Sequence, residues 1–115
     1  MNVQDIVDQL PLEAAAGRQG LSREISGGYC GDLLSDVMGH AVKGAVWITI
    51  QGHQNIIAVA VLRELAAVIL ANGRSPEEDT VARADKEGIP VLVSSLGAFD
   101  LAGRLCALGI GSGIE

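Results

Sequence analysis

The stretch that decides the fold is residues 45–70, AVWITIQGHQNIIAVAVLRELAAVIL. Its first part, AVWITI, is rich in β-branched residues and indicates a strand. Residues 56–64 are apolar nearly all round, which is typical of a buried helix. The segment AAVILA that follows predicts a second buried strand. Buried strands that alternate with helices predict a largely parallel sheet in an α/β domain.

The flanking segments continue this alternation. Asn2 is positioned to cap a first helix that ends at Pro11, and LEAAAG at 12–17 predicts a short, weak strand. DLLSDVMGHA at 32–41 predicts a short helix opened by Asp32. IPVLVS at 89–94 predicts another buried strand.

Two further helices are predicted in the second half of the chain. Ser75-Pro76-Glu77-Glu78 has the pattern of a capping box, with Ser75 as the N-cap, and Gly88 ends that helix. Ser94 or Ser95 is expected to cap a last helix, whose packing residues are Phe99, Leu101, Ala102, Leu105, Cys106 and Leu108. We therefore predict one small α/β domain over residues 1–115. Its mostly parallel sheet has four to five strands flanked by helices, and residues 109–115 form a flexible tail.

Composition excludes several classes of protein. The 115 residues carry a formal net charge of −6, and without a basic patch we expect no nucleic-acid binding. The longest apolar runs are shorter than the ~18 residues needed to span a bilayer, so we expect no membrane association. Cys30 and Cys106 predict free thiols in a reducing compartment, which favours a cytoplasmic location.

A small polar cluster interrupts the apolar stretch at the point where strand becomes helix. We call Gln51–Asn55 the polar knot, and Thr49 directly precedes it. The knot follows the carboxyl end of a predicted parallel strand, where α/β proteins bind ligands, and it begins a helix, where free N–H groups attract anions. The alternative is helix capping alone, with Asn55 as the N-cap.

A second polar segment, SREISGGYCGDLLSDVMG at 22–39, contains adjacent glycines that are free to adopt positive φ. If the knot is a site, we expect it to share a cleft with the turn at Gly27, Gly28 and Tyr29. His53 gains charge as the pH falls through about 6.5, so anion binding should then strengthen. A tight strand-to-helix connection capped by Asp32 is the alternative.

Known catalytic motifs do not fit. GHAVKGAV at 39–46 lacks the Lys-Ser/Thr pair of a phosphate loop, and GIGSG at 109–113 lacks the spacing of a dinucleotide fingerprint. Cys30, His40, His53 and Cys106 have no metal-ligand spacing. A nucleophile set of Cys30, His53 and Asp32 lacks an elbow motif. We expect no catalytic residue, metal or cofactor.

Ser22-Arg23-Glu24-Ile25-Ser26-Gly27-Gly28 resembles the D-R-x-x-T-G-G motif that names the DRTGG domain family. GGYCGDLLSDVMGHA, WITIQGHQNIIAVAVL and EGIPVL also look like that family, so the resemblance covers nearly the whole chain. Serines replace the Asp and Thr of the motif, at Ser22 and Ser26. The family is similar in fold to the N-terminal domain of HPr kinase/phosphorylase, whose catalytic domain has no counterpart here.

The resemblance implies a non-catalytic regulatory or assembly module. Such a module is often dimeric, and could bind a nucleotide, a phosphorylated metabolite or a protein partner. The alternatives are a serine kinase-like phosphotransfer enzyme and an accessory subunit of a redox complex of the iron-only hydrogenase type. Together with the polar knot, the resemblance gives these candidate ligand-binding residues: Arg23, Gly27, Gly28, Tyr29, Asp32, Thr49, Gln51, His53 and Asn55.

Overall fold

The computed structural model describes residues 1–114. The α-helices are α1 (Val3–Gln9), α2 (Leu34–His40), α3 (Asn55–Leu62), α4 (Glu78–Glu87) and α5 (Ala98–Ala107), and a single 3₁₀ turn lies at Arg18–Gly20. The strands are β1 (Glu13–Ala16), β2 (Gly27–Cys30), β3 (Ala45–Thr49), β4 (Ala67–Leu70) and β5 (Val91–Val93). The predicted α/β class is confirmed.

The five strands form one sheet in the order β1-β5-β4-β3-β2. The pairs β2–β3, β3–β4 and β4–β5 are parallel, and β1 pairs with β5 antiparallel. The predicted, mostly parallel sheet is therefore confirmed. The carboxyl ends of the four parallel strands lie along one edge, which we call the carboxyl edge.

Helices cover both faces of the sheet. Side chains of α2, α3 and α4, among them Val37, Ile57 and Ala84, pack against the face that carries Trp47 and Leu70. The opposite face packs against α1 and α5, which contribute residues such as Ile6 and Leu101. The central strands β3 and β4 therefore have both faces buried, which explains their continuous apolar runs in the sequence, whereas β1 exposes every second residue.

Some predicted helix ends are confirmed. The Asn2 side chain accepts from the backbone N–H of Asp5, whose carboxylate accepts from the N–H of Asn2. Gly88 ends α4 with φ of 69°, a left-handed conformation in which a side chain is disfavoured.

Other predicted caps are wrong. The N-cap positions of α2, α4 and α5 are Leu33, Glu77 and Gly97, none of which makes a side-chain capping bond. Ser94 Oγ instead accepts from Leu96 N at 3.1 Å, and Asp32 bonds to another strand end. The Ser94 contact is local to its own loop, whereas the Asp32 contact joins segments 17 residues apart, which short-range sequence patterns do not reveal.

The structure also corrects the expected packing of α5. Phe99 is 84% exposed and Cys106 is exposed, whereas Leu101 and Leu105 are buried. The burial of Leu101 and Leu105 agrees with the prediction, but the buried face of α5 is narrower than predicted because Phe99 and Cys106 lie outside it.

The end of the chain lies beside β2. Gly111 accepts a hydrogen bond of 2.7 Å from the N–H of Gly28. The flexible tail over 109–115 stays a prediction, and Glu115 lies outside the described residues. None of the helices in residues 1–114 is long and apolar enough to cross a membrane.

Candidate ligand-binding site

Asp32 organises the polar residues at the end of β3. Its Oδ1 accepts from Thr49 Oγ1 at 2.7 Å and from Ile50 N at 2.9 Å. The Gln51 side-chain amide donates to the backbone carbonyl of Asp32. Thr49 is buried, so its hydroxyl needs this partner inside the protein. The bonds join the loops that follow β2 and β3.

Gly52 connects the knot to the loop after β4. Its carbonyl accepts from Thr80 Oγ1 at 2.6 Å and from Glu77 N at 3.1 Å. A Cβ at Gly52 would lie 2.6 Å from the carbonyl oxygen of Ser75, so only glycine fits without rearrangement. The knot therefore braces the start of α4.

His53, and not Asn55, caps α3. His53 Nδ1 accepts from the N–H of Asn55 at 3.1 Å, and α3 begins at Asn55. The alternative that Asn55 is the N-cap is therefore wrong. A neutral ring that accepts at Nδ1 carries its proton on Nε2, and the exposed side chain leaves this N–H available to a ligand.

Backbone donors in the loop just before α3 are free, whereas the N–H groups of Asn55, Ile56 and Ile57 in its first turn have acceptors. Within residues 1–114 the N–H groups of Gly52, His53 and Gln54 have no hydrogen-bond acceptor. Such orphan donors, together with the helix dipole, favour an anion at this position.

The structure does not bring Gly27 and Gly28 to the knot. Both belong to β2 and pair with Ala45 and Val46, at the beginning of β3. Thr49 lies three residues beyond Val46 along β3, which is about 10 Å at the usual rise of a strand. Neither glycine has positive φ, so the predicted turn at this position is wrong. The predicted shared cleft is therefore not formed by these glycines.

Tyr29 is bound on the α2 side of the sheet. Its hydroxyl donates to the Asp36 carboxylate. This hydrogen bond, with smaller contributions from burial and the charge of Asp36, raises the pKa of Tyr29. The Tyr29 hydroxyl therefore already has a hydrogen-bond acceptor within the protein.

Arg23 lies at the opposite edge of the sheet. Its Nε donates to the carbonyl of Gly88 at 3.2 Å. It lines an open groove of about 350 Å³ together with Lys43, Glu64 and Glu87. Mixed charges line this groove, and it is separate from the knot.

The sequence analysis missed a crevice at the carboxyl edge. Arg74 and Ser75 from the loop after β4 and Ser94 and Ser95 from the loop after β5 line an open space of about 400 Å³. Pro11, Leu12 and Glu13 form its other wall. The available signal was polar residues directly after two adjacent buried strands, because such residues meet at one edge of a parallel sheet.

Metal ligands do not converge in the part of the chain that the structure describes. No group of three or more His, Cys, Asp or Glu side chains in residues 1–114 could hold a metal ion.

Comparison with known proteins gives the family. A profile of the DRTGG domain matches residues 5–108. The chain belongs to the DRTGG domain family. No curated protein sequence matches the chain.

A solved structure of the CBS and DRTGG domains is similar to this DRTGG domain. It is the regulatory region of Clostridium perfringens pyrophosphatase, complexed with its activator diadenosine tetraphosphate. The TM-score is 0.65 at 17% identity, over 97% of this chain and 48% of that one. The chain thus spans about half the length of the pyrophosphatase region, and the likeness shows a shared fold.

The segment that resembles the family's naming motif has structural contacts here. The Ser26 hydroxyl donates to the carbonyl of Lys43, and the Ser26 N–H donates to the carbonyl of Gly44. A Cβ at Gly27 would lie 2.6 Å from the carbonyl oxygen of Ser112. The motif therefore packs the start of β2 against the loop before β3 and the chain's end.

Proposed function

We propose that this DRTGG domain is a non-catalytic regulatory module that binds a nucleotide or another phosphorylated metabolite at its carboxyl edge. The observation that carries the proposal is the set of free backbone N–H groups at Gly52, His53 and Gln54. Donors fixed by the fold bind a phosphate oxygen with little reorganisation, and the helix dipole favours the negative charge.

Polar side chains around these donors orient them. Asp32 and Thr49 hold the end of β3, and Gly52 is fixed against the start of α4. In the proposed complex, His53 Nε2–H and the Gln51 and Asn55 side chains make the outer polar contacts.

A regulatory role is supported by family membership. The similar pyrophosphatase regulatory region, solved as its CBS and DRTGG domains, is complexed with a nucleotide activator. The carboxylate of Asp32 is engaged with Thr49 and Ile50 and so contributes to structure. We propose that a ligand binds here without being consumed, and that binding is communicated to a second chain or domain.

Self-association is the second part of the proposal. Leu62 at the end of α3 is 70% exposed and Phe99 at the start of α5 is 84% exposed. Large apolar side chains in solvent favour contact with another protein surface. We propose a homodimer, with a protein partner as the alternative occupant of these residues. Light scattering should give twice the monomer mass, with separate Leu62→Glu and Phe99→Glu variants showing which residue is needed.

A thermal-shift screen tests ligand binding. Nucleotides and phosphorylated metabolites are added to the wild type and to His53→Ala between pH 5.5 and 8. His40→Ala is the matched control, since it removes the other histidine, which lies on α2. We expect a ligand-induced rise in Tm that is smaller only in His53→Ala. If no anion raises Tm, the proposal is wrong.

A further inference from the structure

The crevice at the carboxyl edge lies where the chain connections diverge. The connection after β4 leads to α4, which packs on the face of the sheet that carries Trp47. The connection after β5 leads to α5, whose Leu101 and Leu105 pack on the opposite face. Adjacent parallel strands whose connections leave to opposite faces open a crevice between them, where α/β proteins bind ligands. The knot, in contrast, lies between connections on the same face.

The floor of this crevice is held by backbone hydrogen bonds. Asn72 N donates to the carbonyl of Leu96 at 2.9 Å, and Gly73 N donates to that of Ser94 at 2.8 Å. The two loops are therefore joined without a ligand. A space of about 400 Å³ is within the range of small-molecule sites.

The walls of the crevice carry different chemistry. Arg74 is exposed, and within residues 1–114 its side chain makes no ion pair or hydrogen bond. A free guanidinium matches a phosphate, to which it can donate two parallel hydrogen bonds. Glu13 on the other wall accepts from ligand hydroxyl or amino groups, while Pro11 and Leu12 provide apolar surface.

We propose that this crevice binds the phosphate ester group of a nucleotide, with Arg74 on the phosphate and Glu13 on a sugar hydroxyl. The inference rests on the proposed function and assigns the ligand a position and a chemical class. The crevice is contiguous with the knot, because the backbone of Ser75 contacts Gly52 while the same residue lines the crevice.

NMR titration of amide resonances tests this assignment with three probes: AMP, adenosine and inorganic phosphate. The variants are Arg74→Gln and Glu13→Gln, and the matched control is Arg104→Gln, an exposed arginine on α5. We expect AMP to shift the amides of Gly73 and Ser95. Loss of a charged hydrogen bond should weaken AMP binding about tenfold in Arg74→Gln, with no change in the control.

The Glu13→Gln variant distinguishes binding of a nucleotide from binding of phosphate alone. It should bind AMP more weakly, because a sugar hydroxyl loses a charged acceptor, and bind inorganic phosphate more tightly, because a repelling carboxylate is gone. Equal AMP affinity in Arg74→Gln, or shifts confined to the knot, would overturn the crevice assignment and leave the proposed function intact. Inorganic phosphate that binds where AMP does not would also overturn it. If no phosphate-bearing probe shifts any amide, both proposals fail.

Discussion

Replacing Asp32 with alanine tests whether one carboxylate holds the carboxyl edge together. The change removes two hydrogen bonds to Oδ1, of 2.7 Å from Thr49 Oγ1 and 2.9 Å from Ile50 N. A bond to a charged group contributes about 1.5–3 kcal/mol, and Asp32 is exposed enough for water to replace part of this. We therefore expect a loss of about 2 kcal/mol in the free energy of unfolding.

That loss converts to a measurable change in Tm. With about 2.1 cal/mol/K per residue, 115 residues give an unfolding entropy near 0.24 kcal/mol/K, so Tm should fall by about 8 °C. Urea unfolding followed by circular dichroism measures the free energy directly. The control is Asp8→Ala, whose exposed carboxylate accepts, within residues 1–114, only from the Gln4 side chain and whose loss should cost at most about 0.5 kcal/mol.

A double-mutant cycle identifies the buried hydroxyl as the source of the cost. Thr49→Val should be less costly in the Asp32→Ala background than in the wild type, by about 1 kcal/mol, because the bond is already absent. Asp32→Asn retains an acceptor oxygen, so its free energy of unfolding should fall between those of the wild type and Asp32→Ala. A free energy of unfolding of Asp32→Ala that lies within about 0.5 kcal/mol of the wild-type value would refute the reasoning.

Three further substitutions or modifications have defined outcomes. His53→Ala should lower stability by about 1 kcal/mol in urea unfolding, because His53 caps α3, whereas an unchanged midpoint would exclude the cap. Gly44→Ala should lower the free energy of unfolding by more than about 1 kcal/mol, since φ is 80° and a Cβ would lie 2.1 Å from the Oγ of Ser26. Gly39→Ala, in the open face of α2, should be neutral or stabilising, and equal effects of the two substitutions would contradict this reasoning. Burial and the neighbouring Asp32 raise the pKa of Cys30. Its alkylation at pH 8, measured by mass spectrometry, should therefore be slower than that of a cysteine in a free peptide and should accelerate at higher pH. A rate equal to that of the peptide would contradict this.

The sequence was most informative where burial controls the pattern. The apolar runs that became β3, α3 and β4 were predicted at nearly their observed positions, because strands covered on both faces admit few polar residues. The first helix was also predicted, since Asn2 and Asp5 form their cap within one turn. The antiparallel pairing of β1 could not be predicted, because it depends on contacts between distant segments.

Polar side chains were harder to assign. Asp32 was expected to cap a helix but bonds the end of β3, because loops from different strands meet at the carboxyl edge, while Ser94 bonds Leu96 within its own loop. The position of β2 was also hard to predict, because two glycines lower strand propensity, and the close approach of Ser112 and Val42 that explains Gly27 is visible only in the fold. The crevice near Arg74 was missed because its walls come from three segments that are far apart in the chain.

Phosphorus NMR tests the central claim most directly, because one spectrum reports both binding and turnover. AMP, ATP and diadenosine tetraphosphate are each mixed with an equimolar amount of the purified chain and Mg²⁺, and spectra are recorded over several hours. We predict that at least one ligand shows shifted or broadened resonances whose integrals stay constant, as expected of a module that binds a nucleotide without consuming it. Unperturbed resonances for all three ligands, or a new resonance from a hydrolysed or transferred phosphate that accumulates with time, would contradict the account.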